Sequence, residues 1–187
     1  MAFSVSLPRL AHVPGTGTEP DRAPLEAAKA LVPRPATAAG WEANEPYRYG
    51  AALCLNGFFW EAHEVWEAVW LACPPNSRER LLLRGLIQVA NALLKSKMER
   101  RNAAQRLFGE AAGLVEECRI GRAEPELMGV DLQDLSRALA GALAGTEPER
   151  LAVTDAALRP LLRVAGAWTP TGHMHYNASN HKSSAAL

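Results

Sequence analysis

Between Trp41 and Arg119 the chain repeats one arrangement: apolar residues recur every three or four positions, and each run ends at residues that stop a helix. The clearest stripe is Ala104, Leu107, Phe108, Ala111, Leu114, Val115 and Cys118. Asn56-Gly57 breaks one run, because both residues accept the left-handed conformation that ends helices. Pro74-Pro75 stops the next, and Pro46 suits the first turn of a helix. Asn76 followed by Glu79 fits a capping box for the third run. Four helices are therefore expected from Pro46 to Cys118, and a further one at "DLQDLSRALAGAL" capped by Asp131. "RLAVTDAALRPLLRV" reads as a short helix or a packed loop, and no β-hairpin pattern stands out. Amphipathic segments joined by short connections bury their stripes against each other, so the expected fold is all-α, a compact bundle of about four to six helices.

The flanks differ in character. Residues 1–40 hold six prolines, which predicts an extended or disordered segment with room for a short helix at "LEAAKALV". The bundle domain is placed at 41–145, and 146–187 is expected to be an accessory segment and flexible tail. In that tail His173, His175 and His181 could chelate a metal, or are incidental in Gly/Asn/Ser surroundings.

Charge narrows the function. Twenty Lys and Arg balance twenty Asp and Glu, which argues against nucleic acid and against a polybasic membrane anchor. No run approaches the roughly 18 apolar residues of a membrane span. Three cysteines without C-x-x-C spacing argue against a disulfide scaffold, so a soluble, cytoplasmic protein is expected. Cys54 and Cys118 fall among apolar neighbours, whereas Cys73, beside the prolines, is expected to be more exposed. The Lys95, Lys97, Arg100, Arg101 and Arg106 cluster fits a solvated helix end. A homo-oligomer is compatible with these features, and no partner is specified by them.

The chemistry concentrates in "NGFFWEAHEVWEAVW". At 100° per residue Phe59, Ala62, Val65, Trp66, Val69 and Trp70 share an apolar sector, with Phe59, Trp66 and Trp70 as its aromatic wall. His63 sits on the edge of that sector, Glu67 beside it one turn on, Glu64 beyond, and Glu61 furthest from the core. Residues four apart can share a cation, so His63 and Glu67, with Glu61 as a further ligand, form a candidate site for Zn, Mn or Fe. Glu64 is the candidate catalytic base, by analogy of spacing with H-E-x-x-H enzymes. The alternative is structural: a solvated shoulder of glutamates and a boundary histidine satisfied by a carbonyl. On the next helix Arg84, Gln88, Asn91 and Lys95 form a narrow polar ridge. It faces either water or the His63/Glu67 edge; in the second case Gln88 and Asn91 would orient a ligand and Arg84 would pair with Glu64 or Glu67.

These same residues carry a resemblance. "YRYGAALCLNGFFWEAHEVWEAVW", "RLLLRGLIQVANALL" and "RRNAAQRLFGEA" resemble the bacterial and archaeal helical family called domain of unknown function 309, over Tyr47 to about Cys118. Its aromatic pair before E-A-H-E is matched by Phe59 to Glu64, with Glu67 and Trp70 following. Its second hallmark is matched by Arg80, Gly85, Leu86, Ile87 and Gln88, and Asn102 fits an Asn that opens the fourth helix. Arg84 stands where relatives often carry Gln, and Lys95 near where many carry His. The resemblance implies an all-α bundle, and members have been labelled predicted metal-dependent hydrolases. Two functions are thus in competition: a metal-binding bundle, hydrolytic if that label applies, and a non-enzymatic helical interaction module whose His/Glu edge is structural.

Overall fold

A computed structural model describes residues 4–17, 19–145 and 147–163. Among them are seven α-helices: α1 (Arg22–Ala30), α2 (Glu45–Leu55), α3 (Phe59–Ala72), α4 (Arg78–Lys97), α5 (Arg101–Arg119), α6 (Leu132–Ala144) and α7 (Glu147–Arg163). The expected all-α bundle is the fold. Helices α2 to α5 pack in succession, α6 continues from α5, and α7 returns to close against α2 and α6.

Local signals explain most boundaries. Asn44 caps α2 by accepting from Tyr47 N, with a proline in the first turn. Gly57 takes φ +79° and separates α2 from α3 at the anticipated break. Asp131 caps α6, accepting from Gln133 N and Asp134 N. The cap of α4 is a correction: Ser77, not Asn76, accepts from Arg80 N, and Asn76 lies at φ +58° in the turn before it. Glu79 is then one position short of a capping box and instead accepts from Ala38 N at 3.0 Å.

The core is continuous across the helices. On α5 the stripe residues Ala104, Leu107, Phe108, Ala111, Val115 and Cys118 are buried as their spacing predicts, and Leu114 is half-buried. α7 buries Val153, Ala157, Leu158 and Leu161, one face of a helix that continues past Pro160. A two-residue hairpin, β1 (Glu126–Leu127) and β2 (Val130–Asp131), joins α5 to α6; it is too short for alternation to reveal. Tyr47 donates its hydroxyl to Met128 O and ties this hairpin to α2. Trp66 is wholly buried and donates Nε1 to Tyr47 O at 3.0 Å. A Cβ at Gly50 would fall 2.4 Å from that indole nitrogen, so the crossing of α2 and α3 requires glycine there.

The proline-rich leader is not detached. α1 buries Leu25 and Ala28 against the bundle, and Val5, Leu7 and Ala11 pack on the core. The short helix allowed for at "LEAAKALV" falls in α1, and residues 4–12 take neither helix nor strand; they lie on the bundle because apolar residues spaced through the leader find uncovered surface on α2 and α3. His173, His175 and His181 lie outside the described residues.

Candidate functional site

Helix α3 presents three environments. Its inward face buries Phe59, Ala62, Val65, Trp66 and Val69. Of the charged residues, His63, Glu64 and Glu67 are partly open, with side-chain exposures of 26 %, 23 % and 51 %. Glu61 is the reverse of the expectation: placed furthest from the core by the helical wheel, it is 0 % exposed. The wheel describes the helix against its bundle neighbours only, and the leader covers the opposite side. His12 N donates to Glu61 Oε1 at 2.6 Å, while Oε2 is buried without a hydrogen-bond partner.

Burial pushes the Glu61 carboxyl above its ordinary range; the His12 and Glu61 backbone N–H groups, the His12 ring and Lys97 pull the other way without cancelling it. Glu64 Oε2 lies 3.2 Å from Lys29 Nζ, which also reaches Glu26 on its own helix. Two glutamates of the motif therefore hold the N-terminal segment: Glu61 its main chain, Glu64 helix α1. His63 Nε2 stands 4.0 Å from Glu67 Oε2, a loose pair at the edge.

Of the aromatic wall, Phe59 and Trp66 are buried and Trp70 is partly buried against the core. Trp60 faces the leader, with the His12 ring edge-on at 4.8 Å and the Arg22 guanidinium 5.6 Å above it. Trp70 lies under the Arg80 guanidinium at 4.2 Å. Trp70 and Arg84 meet in an open cleft of about 350 Å³ at the α3–α4 corner, shared with Pro75, Asn76, Ser77, Arg80 and Leu81.

The polar ridge of α4 does not converge on His63. Gln88 Nε2 donates to Glu110 Oε2 on α5 at 2.8 Å, and Arg106 pairs with the other oxygen of the same carboxylate. Arg84 is exposed, and among the described residues it pairs with neither Glu64 nor Glu67. Asn91 is half-buried. The ridge is divided: α4 packs along both α3 and α5, Gln88 lies on the α5 side, and Arg84 stands at the α3–α4 corner. Cys73 is buried rather than exposed, its Sγ 3.4 Å from Val69 O; burial, reinforced by Glu79, pushes the thiol up to about 11. Cys118 is likewise pushed up to about 11, mainly by burial. Neither thiol is a ready nucleophile at neutral pH.

Residues 47–107 match the family model described as domain of unknown function 309, DUF309. The chain carries a DUF309 domain. It spans most of α2, all of α3 and α4 and the start of α5, and so contains every site residue discussed above except those of the leader, Glu110 and Cys118. No curated protein and no solved structure matches the chain.

A resident metal can be tested against this geometry. Among the described residues no group of three or more His, Cys, Asp and Glu side chains is placed to hold an ion. His63 and Glu67 supply two donors, but Glu64 is engaged by Lys29 and Glu61 is closed under the leader. The DUF309 motif as arranged here does not fit a divalent centre, whose usual set is three or four convergent ligands. Lys29, His12 and Glu110 were not identified from the sequence. Only Lys29 left a trace there, as a basic residue in the last turn of a short amphipathic helix.

Proposed function

We propose that this chain is a non-enzymatic helical interaction module, in which the charged edge of α3 is structural and fastens the N-terminal segment to the DUF309 domain. The observation that carries the reading is the complete burial of Glu61 with His12 N–H on its carboxylate. A carboxylate sealed beneath the chain's own leader is removed from substrate and from bulk water. The Glu64–Lys29 contact works alongside it one turn later. Three buried, unpaired thiols support a reducing compartment and hence the cytoplasm.

The test pairs stability with metal content. Glu61→Ala leaves the His12 N–H without its acceptor and should cost about 1–3 kcal/mol, read from urea unfolding. Untagged protein given Zn, Mn or Fe should melt as the metal-free protein does. Stoichiometric metal that disappears in His63→Ala, with Glu61→Ala as stable as the parent, overturns the reading in favour of a metal-dependent activity.

A further inference from the structure

Residues 4–12 lie across α2 and α3 without forming helix or strand, and the domain holds them chiefly by their main chain. Glu45 Oε1 accepts from Ser4 N, and from the Ser4 hydroxyl at 2.6 Å. Tyr49 donates its hydroxyl to Ser6 O at 2.7 Å, and Glu61 accepts from His12 N. Val5, Leu7 and Ala11 supply apolar contacts between these points, and Pro8 is buried. Acceptors and a donor aimed at peptide groups, with shallow seats for small apolar side chains, are how a groove reads an extended peptide. The leader then turns away at Val13–Thr16, where Gly15 and Gly17 take φ +89° and +77° with no atom within 4 Å of a notional Cβ. The segment is thus tied to the body at three points and tethered through an open glycine turn.

We infer that the α2–α3 face formed by Glu45, Tyr49, Trp60 and Glu61 is a peptide-binding groove, occupied in cis by residues 4–12 and able to take in trans an extended, proline-containing segment whose one charged residue is basic, as Arg9 is in the leader. This names the partner for the interaction module and rests on that reading. The tether gives the leader an effective concentration on the order of millimolar, so a free peptide competes poorly while the chain is intact.

The experiment inserts a specific protease site between Thr16 and Gly17 of the full chain and cuts it. A fluorescent peptide of residues 1–16 should then exchange with the cut leader and bind saturably, while the uncut protein takes up no label. Tyr49→Phe should weaken binding about fivefold and Glu61→Ala about tenfold, whereas Glu61→Gln, which keeps an acceptor for His12 N–H, should bind like the parent. A cut leader that never exchanges, a body that unfolds when the leader leaves, or binding indifferent to both Tyr49→Phe and Glu61→Ala overturns the groove. Melting of uncut Glu61→Ala separates the two readings: destabilisation without exchange sinks the groove alone, and parental stability sinks the structural reading of the α3 edge.

Discussion

The joint between α2 and α3 is closed on its inside and on its outside by different physics. Inside, the Trp66 indole crosses α2 at Gly50 with no solvent near it. Outside, the leader lies on the same two helices through hydrogen bonds that it donates to Glu45 and Glu61 and one that it accepts from Tyr49. The inner contact is dense and apolar, so its strength comes from area and fit, and no partial version of it exists. The outer contact is a few polar points with small apolar seats between them, and each polar point competes with water and can be released singly. A joint built this way can keep its helices fixed while its outer cover changes.

The sharpest way to break that contrast is to damage the inside. Trp66→Ala should cost about 3–5 kcal/mol in urea unfolding, because it removes a fully buried ring and its Nε1 bond to Tyr47 O. A loss near that of the outer substitutions would mean that the two sides are equivalent. Gly50→Ala should follow at about 1–3 kcal/mol, since the added methyl meets an indole with no room to withdraw. A neutral Gly50→Ala would show that α2 and α3 can slide apart freely.

The difference between the two sides also explains what could be read from the sequence. Trp66, Val65 and Phe108 face inward because periodicity fixes their helical faces, and helical faces meet in any bundle. Glu61 was placed on the wrong side by the same rule. A helical wheel knows the helix but not the irregular segment that crosses it, and the leader's contacts are to main-chain atoms, which no side-chain pattern encodes. Gln88 failed for a related reason: two neighbouring helices compete for one ridge, and the spacing does not say that Glu110 rather than His63 stands opposite. The residues of the motif were therefore legible and their company was not.

Glu61 gives the outer side a signature in pH. Its folded carboxyl is raised, chiefly by burial, so between the ordinary value of 4.5 and the raised one the native state binds a proton that the unfolded chain has released. Stability from this group is present in full below the ordinary carboxylate value and is lost as pH rises through the folded one. Relative to Glu61→Gln, the parent should therefore lose stability as pH rises from the ordinary value of 4.5 through the raised folded one. Parallel unfolding curves for the two proteins over that range would show that Glu61 does not pass from the buried to the solvated state on unfolding.

The smallest effect belongs to Glu64. Its pair with Lys29 leaves both side chains about a fifth exposed, and water screens such a pair. Glu64→Gln should cost less than about 1 kcal/mol and lower the melting temperature by no more than about 2–4 °C. It should also be matched by Lys29→Met, with the double variant no worse than either single one, because the two share one interaction. Additive losses would mean that Glu64 acts through something other than Lys29, and would return that carboxylate to the search for a catalytic base. Leader exchange adds a second readout: Glu64 holds α1, beyond the glycine turn, so Glu64→Gln should leave binding of the 1–16 peptide unchanged where Glu61→Ala weakens it. A loss of peptide binding in Glu64→Gln would join α1 and residues 4–12 into one unit and dissolve the distinction between an exchangeable cover and a fixed one.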